Sequence, residues 1–322
     1  MIPELRCHYS TISAKELIPK VLPDYCIEPV IDCLFWERGT NDTYQVRCKN
    51  ARYSLRIYRH EIYPRDEIDF EVDTLNYLHE NGFPVAFPIA RKSGEYVTEI
   101  MALEGLRYVL VTAFIDGKPP EYESIDDSKL FGRSLAELHQ VSQRFTSTHK
   151  KKTLDVNNLI DDSLVTVKPH LSHRPDDLSY LLKIAEQASA AVEQVGDDAM
   201  DIGFCHGDIH GYNAHLNDGV LTHYDFEECG FGYRVYDLAT FKWSFSSRDS
   251  GADHGTAFLD GYQSVRKVND ADLRLLDTFV LIRQVWLIAF HMRNAEDFGH
   301  GVTSDDYIDY QWKKLRKFSE NV

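Results

Sequence analysis

The sequence predicts an α+β fold in two lobes: a small antiparallel sheet with one helix over residues 1–114, and a larger, mostly helical lobe over 115–322. Three observations predict it. Apolar residues alternate in short runs through the first third. A cluster of backbone breakers then falls at Ile115-Asp116-Gly117-Lys118-Pro119-Pro120. Beyond it, apolar residues recur mainly at helical spacing.

Thr43 to Cys48 and Tyr53 to Tyr58 alternate like strands, and the polar stretch Lys49 to Arg52 joins them as a hairpin. From Asp66 to Glu80 the period becomes helical. Ile68, Val72, Leu75 and Leu78 make one apolar stripe, and Asn81-Gly82 ends it. Tyr96 to Met101 and Tyr108 to Phe114 form a further strand pair, after which the breaker cluster marks a hinge. Helices follow at Ser128 to Phe145 and Leu178 to Val195. Asp270 to Met292 is apolar nearly all round, as in a helix buried at the centre of a domain. Between these helices lies a sheet-like interlude. Ile202 to Cys205 leads into His206 to Asn213, Asn217-Asp218-Gly219 makes a tight turn, and Val220 to Tyr224 returns to Asp225. Its polar residues sit on loops at strand ends, where a rigid scaffold commonly places chemistry.

Composition narrows the function. No run of 18 apolar residues exists, so no segment is expected to span a membrane, and the N-terminus lacks the pattern of a secretory signal. The six cysteines include no CxxC pair and suggest reduced, mostly buried thiols in a cytoplasmic protein. The net charge of −16 argues against nucleic acid and anionic membranes as partners, since both demand a basic surface, and it also serves solubility. Residues 1–113 hold 13 Lys and Arg against 17 Asp and Glu, so most of the negative charge lies in the second part, which would suit a cationic acceptor.

Phosphoryl transfer needs few parts: an oriented acceptor hydroxyl, Mg²⁺ to hold the phosphates, and a fixed cation for the nucleotide. Asp208 follows Gly207 in a tight loop, placed to accept a proton. Asn213 provides an amide oxygen, and Asp225 comes after a turn that folds the chain back toward it. This D-x₄-N followed by D-F resembles the catalytic loop and metal-binding motif of protein kinases. His206 to Asn213, Tyr224 to Glu227 and Val235 to Ala239 are more closely similar to the aminoglycoside phosphotransferase and choline kinase superfamily, which has a protein-kinase-like fold. Arg38 to Tyr44 resembles that superfamily's nucleotide-covering loop, including Gly39 and Thr40, and Leu135 to His139 its helix after the hinge. The resemblance runs from about residue 30 to about 315. It implies ATP and Mg²⁺ as cofactors, Asp208 as base, Asn213 and Asp225 as metal ligands, Asp237 as brace of the catalytic loop, and adenine against Thr112 to Ile115, including Phe114.

Glu71 falls within the apolar stripe of its helix, and a buried charge needs a partner. Arg56, on the strand face opposite Leu55 and Ile57, is the natural one. The resemblance gives that pair the nucleotide phosphates. Arg56 stands where kinases normally have Lys; similar phosphotransferases carry Arg there, which can hold phosphate oxygens bidentately. The nucleotide loop has only one glycine.

Rival readings have less support. Gly207 to Gly211 also resembles the first motif of metallophosphoesterases, but the further metal motifs are missing. A nucleotide-binding pseudokinase is favoured only by Arg56 and the thin glycine loop. A Ser/Thr protein kinase lacks a long activation segment here, so a small hydroxyl-bearing acceptor is expected: an aminoglycoside, choline-like molecule, amino sugar or hydroxy amino acid. Among accessory residues, His210 could touch substrate or make a structural hydrogen bond, and Glu227 could assist the metal or be solvated. Trp243, Trp286 and His291 could line the acceptor pocket or belong to the core. An aromatic cage would favour a quaternary ammonium guest.

Overall fold

The structure is a computed structural model that describes residues 5–122, 124–246, 248, 250–320 and 322. A helix α1 (Ala14–Lys20) precedes strands β1 (Val30–Arg38), β2 (Asp42–Cys48) and β3 (Arg52–Ile57). Helix α2 (Arg65–Glu80) follows, then β4 (Val97–Met101) and β5 (Leu106–Ala113). Helices α3 (Ile125–Val141), α4 (Asp162–Val167) and α5 (Pro175–Val195) lead to β6 (Ile202–Cys205). The short strands β7 (Ala214–Asn217), β8 (Val220–His223) and β9 (Gly230–Tyr233) precede α6 (Val235–Phe245), α7 (Gly251–Gln263), α8 (Asp270–Arg293), α9 (Ala295–Phe298) and α10 (Asp305–Ser319). The expected hairpin, strand pair and long helices are all present. Helices α1, α4, α6, α7, α9 and α10 and strands β1 and β9 add to the expected set.

The chain forms two compact units. One comprises Met1–Lys118, Phe145–Lys151 and His215–Glu227; the other comprises Pro119–Arg144, Lys152–Ala214 and Glu228–Val322. The first is built on a five-stranded antiparallel sheet in the order β1-β2-β3-β5-β4. Because side chains alternate along a strand, its two faces carry different residues. Tyr44, Val46, Leu55, Ile57, Val109 and Val111 pack one face against Leu17, Val21 and Leu22 of the N-terminal segment. Leu110 and Val97 meet Ile68 and Val72 of α2 on the other. Arg56 pairs with Leu110 in register and so belongs to the α2 face. The hairpin β7–β8 turns through Asp218 and Gly219, both at positive φ, the conformation that joins two strands by two residues.

The second unit is helical around α8, whose buried residues include Leu276, Phe279, Ile282, Val285 and Ile288. Asn269 starts α8 by accepting the Asp272 amide at 2.7 Å, and Ser304 caps α10 through the Tyr307 amide. Strand β6 pairs antiparallel with β9 and leads into the loop 206–213. No described helix is long and apolar enough to cross a membrane.

Candidate functional site

In the second unit the loop after β6 is held from below. Gly207 has φ 83°, and a Cβ there would meet the Glu228 carbonyl oxygen at 2.0 Å, so only glycine fits. Asp237, on the first turn of α6 and fully buried, accepts the His206 amide at 2.7 Å and the Gly207 amide at 2.8 Å. It also bonds His139 Nε2 at 3.0 Å, while His139 Nδ1 meets the Tyr262 hydroxyl. Burial lowers the His139 pKa, and the Asp237 hydrogen bond offsets only part of that. Cys205 completes this buried trio, with donor atoms within 4.8 Å of one another. Burial pushes its thiol far above the ordinary value, so it is a neutral packing group and a poor metal ligand.

Asp208 projects from this loop. Arg283 Nη2 donates to Asp208 Oδ1, and Arg283 Nη1 donates to the Gly207 carbonyl at 3.3 Å and the Tyr236 hydroxyl at 3.2 Å. The guanidinium, buried within α8, also lies 4.4 Å from the Trp286 ring centre. Burial alone would raise the Asp208 pKa, but Arg283, helped by His210 and His206, holds the carboxyl well below the usual carboxylate range. His210 Nε2 approaches Asp208 Oδ2 at 3.4 Å, and its Nδ1 accepts the Tyr212 amide at 3.2 Å. Asn213 Nδ2 donates to the Asp208 carbonyl at 2.9 Å and to Oδ2 at 3.1 Å. That orientation commits the amide nitrogen inward and leaves Oδ1 as the donor available to a hard cation.

The first unit holds the complementary cluster. Arg56 Nη1 donates to Glu71 Oε1 at 3.0 Å, and Tyr58 donates to Glu71 Oε2 at 2.9 Å. Glu71 is buried as its place in the apolar stripe implied. Burial pushes its carboxyl up, and Arg56 offsets only part of that. Arg56 also reaches Asp225 Oδ1 at 3.3 Å and Glu227 Oε1 at 3.0 Å. Asp225 has φ 65°, a left-handed conformation that costs a non-glycine residue energy and is common at functional sites. Its carboxylate is about one-third exposed and is an oxygen donor of the kind Mg²⁺ prefers. Glu227 is buried, not solvated: besides Arg56 it accepts from Asn41 Nδ2 and from the Tyr63 hydroxyl at 3.0 Å. Asn41 Oδ1 in turn accepts the Arg59 amide at 2.8 Å. Gly39 and Thr40 form the turn between β1 and β2 beside Asn41. Thr112 faces Ser54 on β3, two positions along from the Arg56 and Leu110 pair. Phe114 donates its amide to the Arg52 carbonyl and lies under the Arg52 guanidinium. Neither Thr112 nor Phe114 joins the hydrogen-bonded cluster.

A cavity of about 470 Å³ lies in the second unit beside the loop. It is lined by Tyr122, His210, Gly211, Trp243, Phe245 and Arg248, with Pro119, Pro120, Glu121, Tyr212 and Ser244 completing it. Of the expected pocket aromatics, Trp243 lines it. Trp286 is buried beneath Arg283, and His291 packs among Phe290, Phe298 and Tyr307. Arg283 was the residue that sequence reasoning passed over. The signal was present: it is the one Lys or Arg between Arg274 and Arg293 in a mostly apolar run, and a buried charge demands a partner.

The phosphotransferase enzyme family matches residues 34–275. An uncharacterized protein of Synechocystis sp. (strain PCC 6803) is 32% identical over 311 residues, covering 96% of this chain and 86% of that protein. Among solved structures, a microcompartment-associated aminopropanol kinase superposes with a TM-score of 0.73 at 21% identity, over 94% of this chain and 93% of its own. Amicoumacin kinase, solved with AMP-PNP, Ca²⁺ and amicoumacin, superposes with a TM-score of 0.76 at 18% identity, over 96% and 92% of the two chains. These likenesses establish the two-lobed, protein-kinase-like fold.

Proposed function

The chain belongs to the phosphotransferase enzyme family, and on that premise we propose that it transfers the γ-phosphoryl group of ATP to a hydroxyl of a small acceptor. One observation carries the reading: an ionised carboxylate, Asp208, is fixed on a braced loop by Arg283, and its neighbour His210 lines a cavity. A cavity of about 470 Å³ is of a size that takes a small molecule, which favours that class over a protein Ser/Thr acceptor.

In this mechanism the acceptor hydroxyl lies against Asp208, which orients it and takes its proton late in the transfer. The acceptor oxygen forms a bond to the γ-phosphorus as the bond from that phosphorus to the bridging oxygen breaks, and ADP leaves with the electron pair. Arg283 keeps Asp208 ionised and limits its rotation, so that the hydroxyl meets one orientation of the carboxylate. Arg56, anchored by Glu71, contributes a fixed cation to the nucleotide phosphates. Gly39 and Thr40 cover the nucleotide, and the segment from Thr112 through Phe114 receives adenine. Asn213 of the second unit and Asp225 of the first are the residues that would offer oxygen donors to Mg²⁺, which when bound would neutralise charge on the phosphates. The first unit is thus the nucleotide-binding lobe and the second the acceptor-binding one.

A screen for acceptor-dependent ADP release tests the reading. The panel holds amino alcohols, hydroxy acids, amino sugars and aminoglycosides, with the Asp208→Ala protein as control. Acceptor-stimulated release lost in the control supports it. Tight nucleotide binding with no release from any panel member would point to a pseudokinase.

A further inference from the structure

The cavity beside His210 has aromatic walls, and three of them, Tyr122, Trp243 and Phe245, already face a cation of the protein. Arg248 lies 4.7 Å from the ring centre of Phe245 and 5.9 Å from that of Tyr122. Arg283 lies 5.5 Å and Lys314 5.9 Å from that of Trp243. A cationic guest gains from aromatic faces only where the faces are free to receive it. Here a quaternary ammonium or an amine would meet rings already engaged and like charge beside them.

The charge balance points the same way. Arg248 lines the cavity, is exposed, and pairs with no carboxylate among the described residues. Lys314 likewise pairs with no carboxylate among the described residues and faces the rings of Trp243 and Tyr310. Among the described residues, two carboxylates are near. Asp208 is neutralised by Arg283, and Glu121 stands exposed at the rim. The remaining titratable groups of the lining are the His210 imidazole and the phenols of Tyr122 and Tyr212. Tyr122, which carries part of the wall, is held rigidly for a residue in a loop. It sits at φ 54°, donates its amide to Asp127 Oδ2 at 3.1 Å, and packs against Phe241 and Phe245. A bulky residue kept in a left-handed conformation marks a wall whose shape is specified.

We infer that the acceptor taken by this cavity carries a carboxylate on a short hydroxyl-bearing chain, and that Arg248 is the residue that selects it. The inference rests on the functional reading given above and reverses the cationic acceptor that net charge alone suggested. A planar guanidinium held against an aromatic face presents its free edge as a fork that matches a carboxylate. A single fork, without a carboxylate partner among the described residues, suits one negative charge better than a phosphate dianion.

Matched probes test it. On the full chain, γ-hydroxybutyrate, aminobutanol and a phosphorylated butanediol are compared by calorimetric binding and by ADP release. The expected result is at least about a tenfold preference for the hydroxycarboxylate over the amino alcohol, equivalent to about 1.4 kcal/mol. Arg248→Gln should erase the preference, Arg248→Glu should reverse it, and Arg248→Lys should keep part of it. Equal or better binding of aminobutanol, a preference unmoved in Arg248→Gln, or no binding of the hydroxycarboxylate overturns the inference. So does a stronger response to the phosphorylated probe. Asp208→Asn separates the two claims. It should abolish release and leave the binding preference intact. Asp208-dependent release with the wrong charge preference sinks the acceptor class alone, and release indifferent to Asp208 sinks the functional reading.

Discussion

The two units solve opposite electrostatic problems. In the first, one cation, Arg56, is surrounded by three carboxylates, Glu71, Asp225 and Glu227. In the second, one carboxylate, Asp208, is gripped by a buried cation, Arg283. The first cluster carries excess negative charge and can accept a further cation, as a magnesium-nucleotide site requires. The second is balanced, so Asp208 stays ionised without attracting metal to itself. Similar residue types therefore serve different ends because the count of partners differs.

Removing the cation from each cluster should expose this difference. Arg56→Met leaves Glu71 buried without its counter-charge, an expected cost of about 3–5 kcal/mol, read as a fall in Tm. Glu71 already has a raised carboxyl, so its folded form binds a proton more readily than the unfolded chain does. Its contribution to stability is present below the unfolded carboxylate value and is lost as pH rises through the folded one. Arg56→Met should therefore recover Tm as pH falls from neutrality toward about 5, and a Tm that falls instead would contradict the arrangement.

Asp208→Asn should lower turnover at least about a hundredfold with nucleotide affinity retained. A loss under about threefold would remove Asp208 from the chemistry. Asp225→Ala is expected to abolish Mg²⁺-dependent nucleotide binding in calorimetry. Arg283→Met should lower kcat on the order of tenfold and bring a new acidic limb into the rate profile, at or above the ordinary carboxylate value of about 4, because burial then acts without its main counter-charge. The sign follows from the depressed Asp208 value in the intact protein: the carboxylate is ionised throughout the usual range and protonates only in stronger acid. Arg283→Lys should restore part of the rate. A rate loss without the acidic limb would mean that Arg283 serves structure alone.

The smallest effect is expected at Gly39. No atom lies within 4 Å of a Cβ added there, so Gly39→Ala should change stability by under about 0.5 kcal/mol. A rise in KM for ATP without loss of Tm would show that glycine is kept there for ligand approach. Gly207→Ala, by contrast, must collide with the Glu228 carbonyl and should disrupt the loop.

Much of the molecule was legible in the chain. Alternation located β2 and β3, and the Asp218-Gly219 turn was evident because few residues adopt positive φ readily. The Arg56 and Glu71 pair followed from one charge placed in an apolar stripe. Helix α6 was less legible, since burial on several sides leaves no single stripe. Helices α7 and α10 each bury one stripe, but small and polar residues interrupt it, Gly261 and His254 in α7 and Gln311 in α10.

By itself, the sequence determined which residue types stand at which spacing: the D-x₄-N loop, the following Asp225, and the periodicities that set strand against helix. Those are local properties, governed by dihedral preference and by the repeat of apolar side chains. Only the tertiary structure decided that Arg283 reaches Asp208 across 75 residues, that Glu227 anchors Asn41 across 186, and that cations cover the aromatic walls near His210. Partner choice between distant charges depends on which helix packs where, and no spacing rule along a chain encodes that distance.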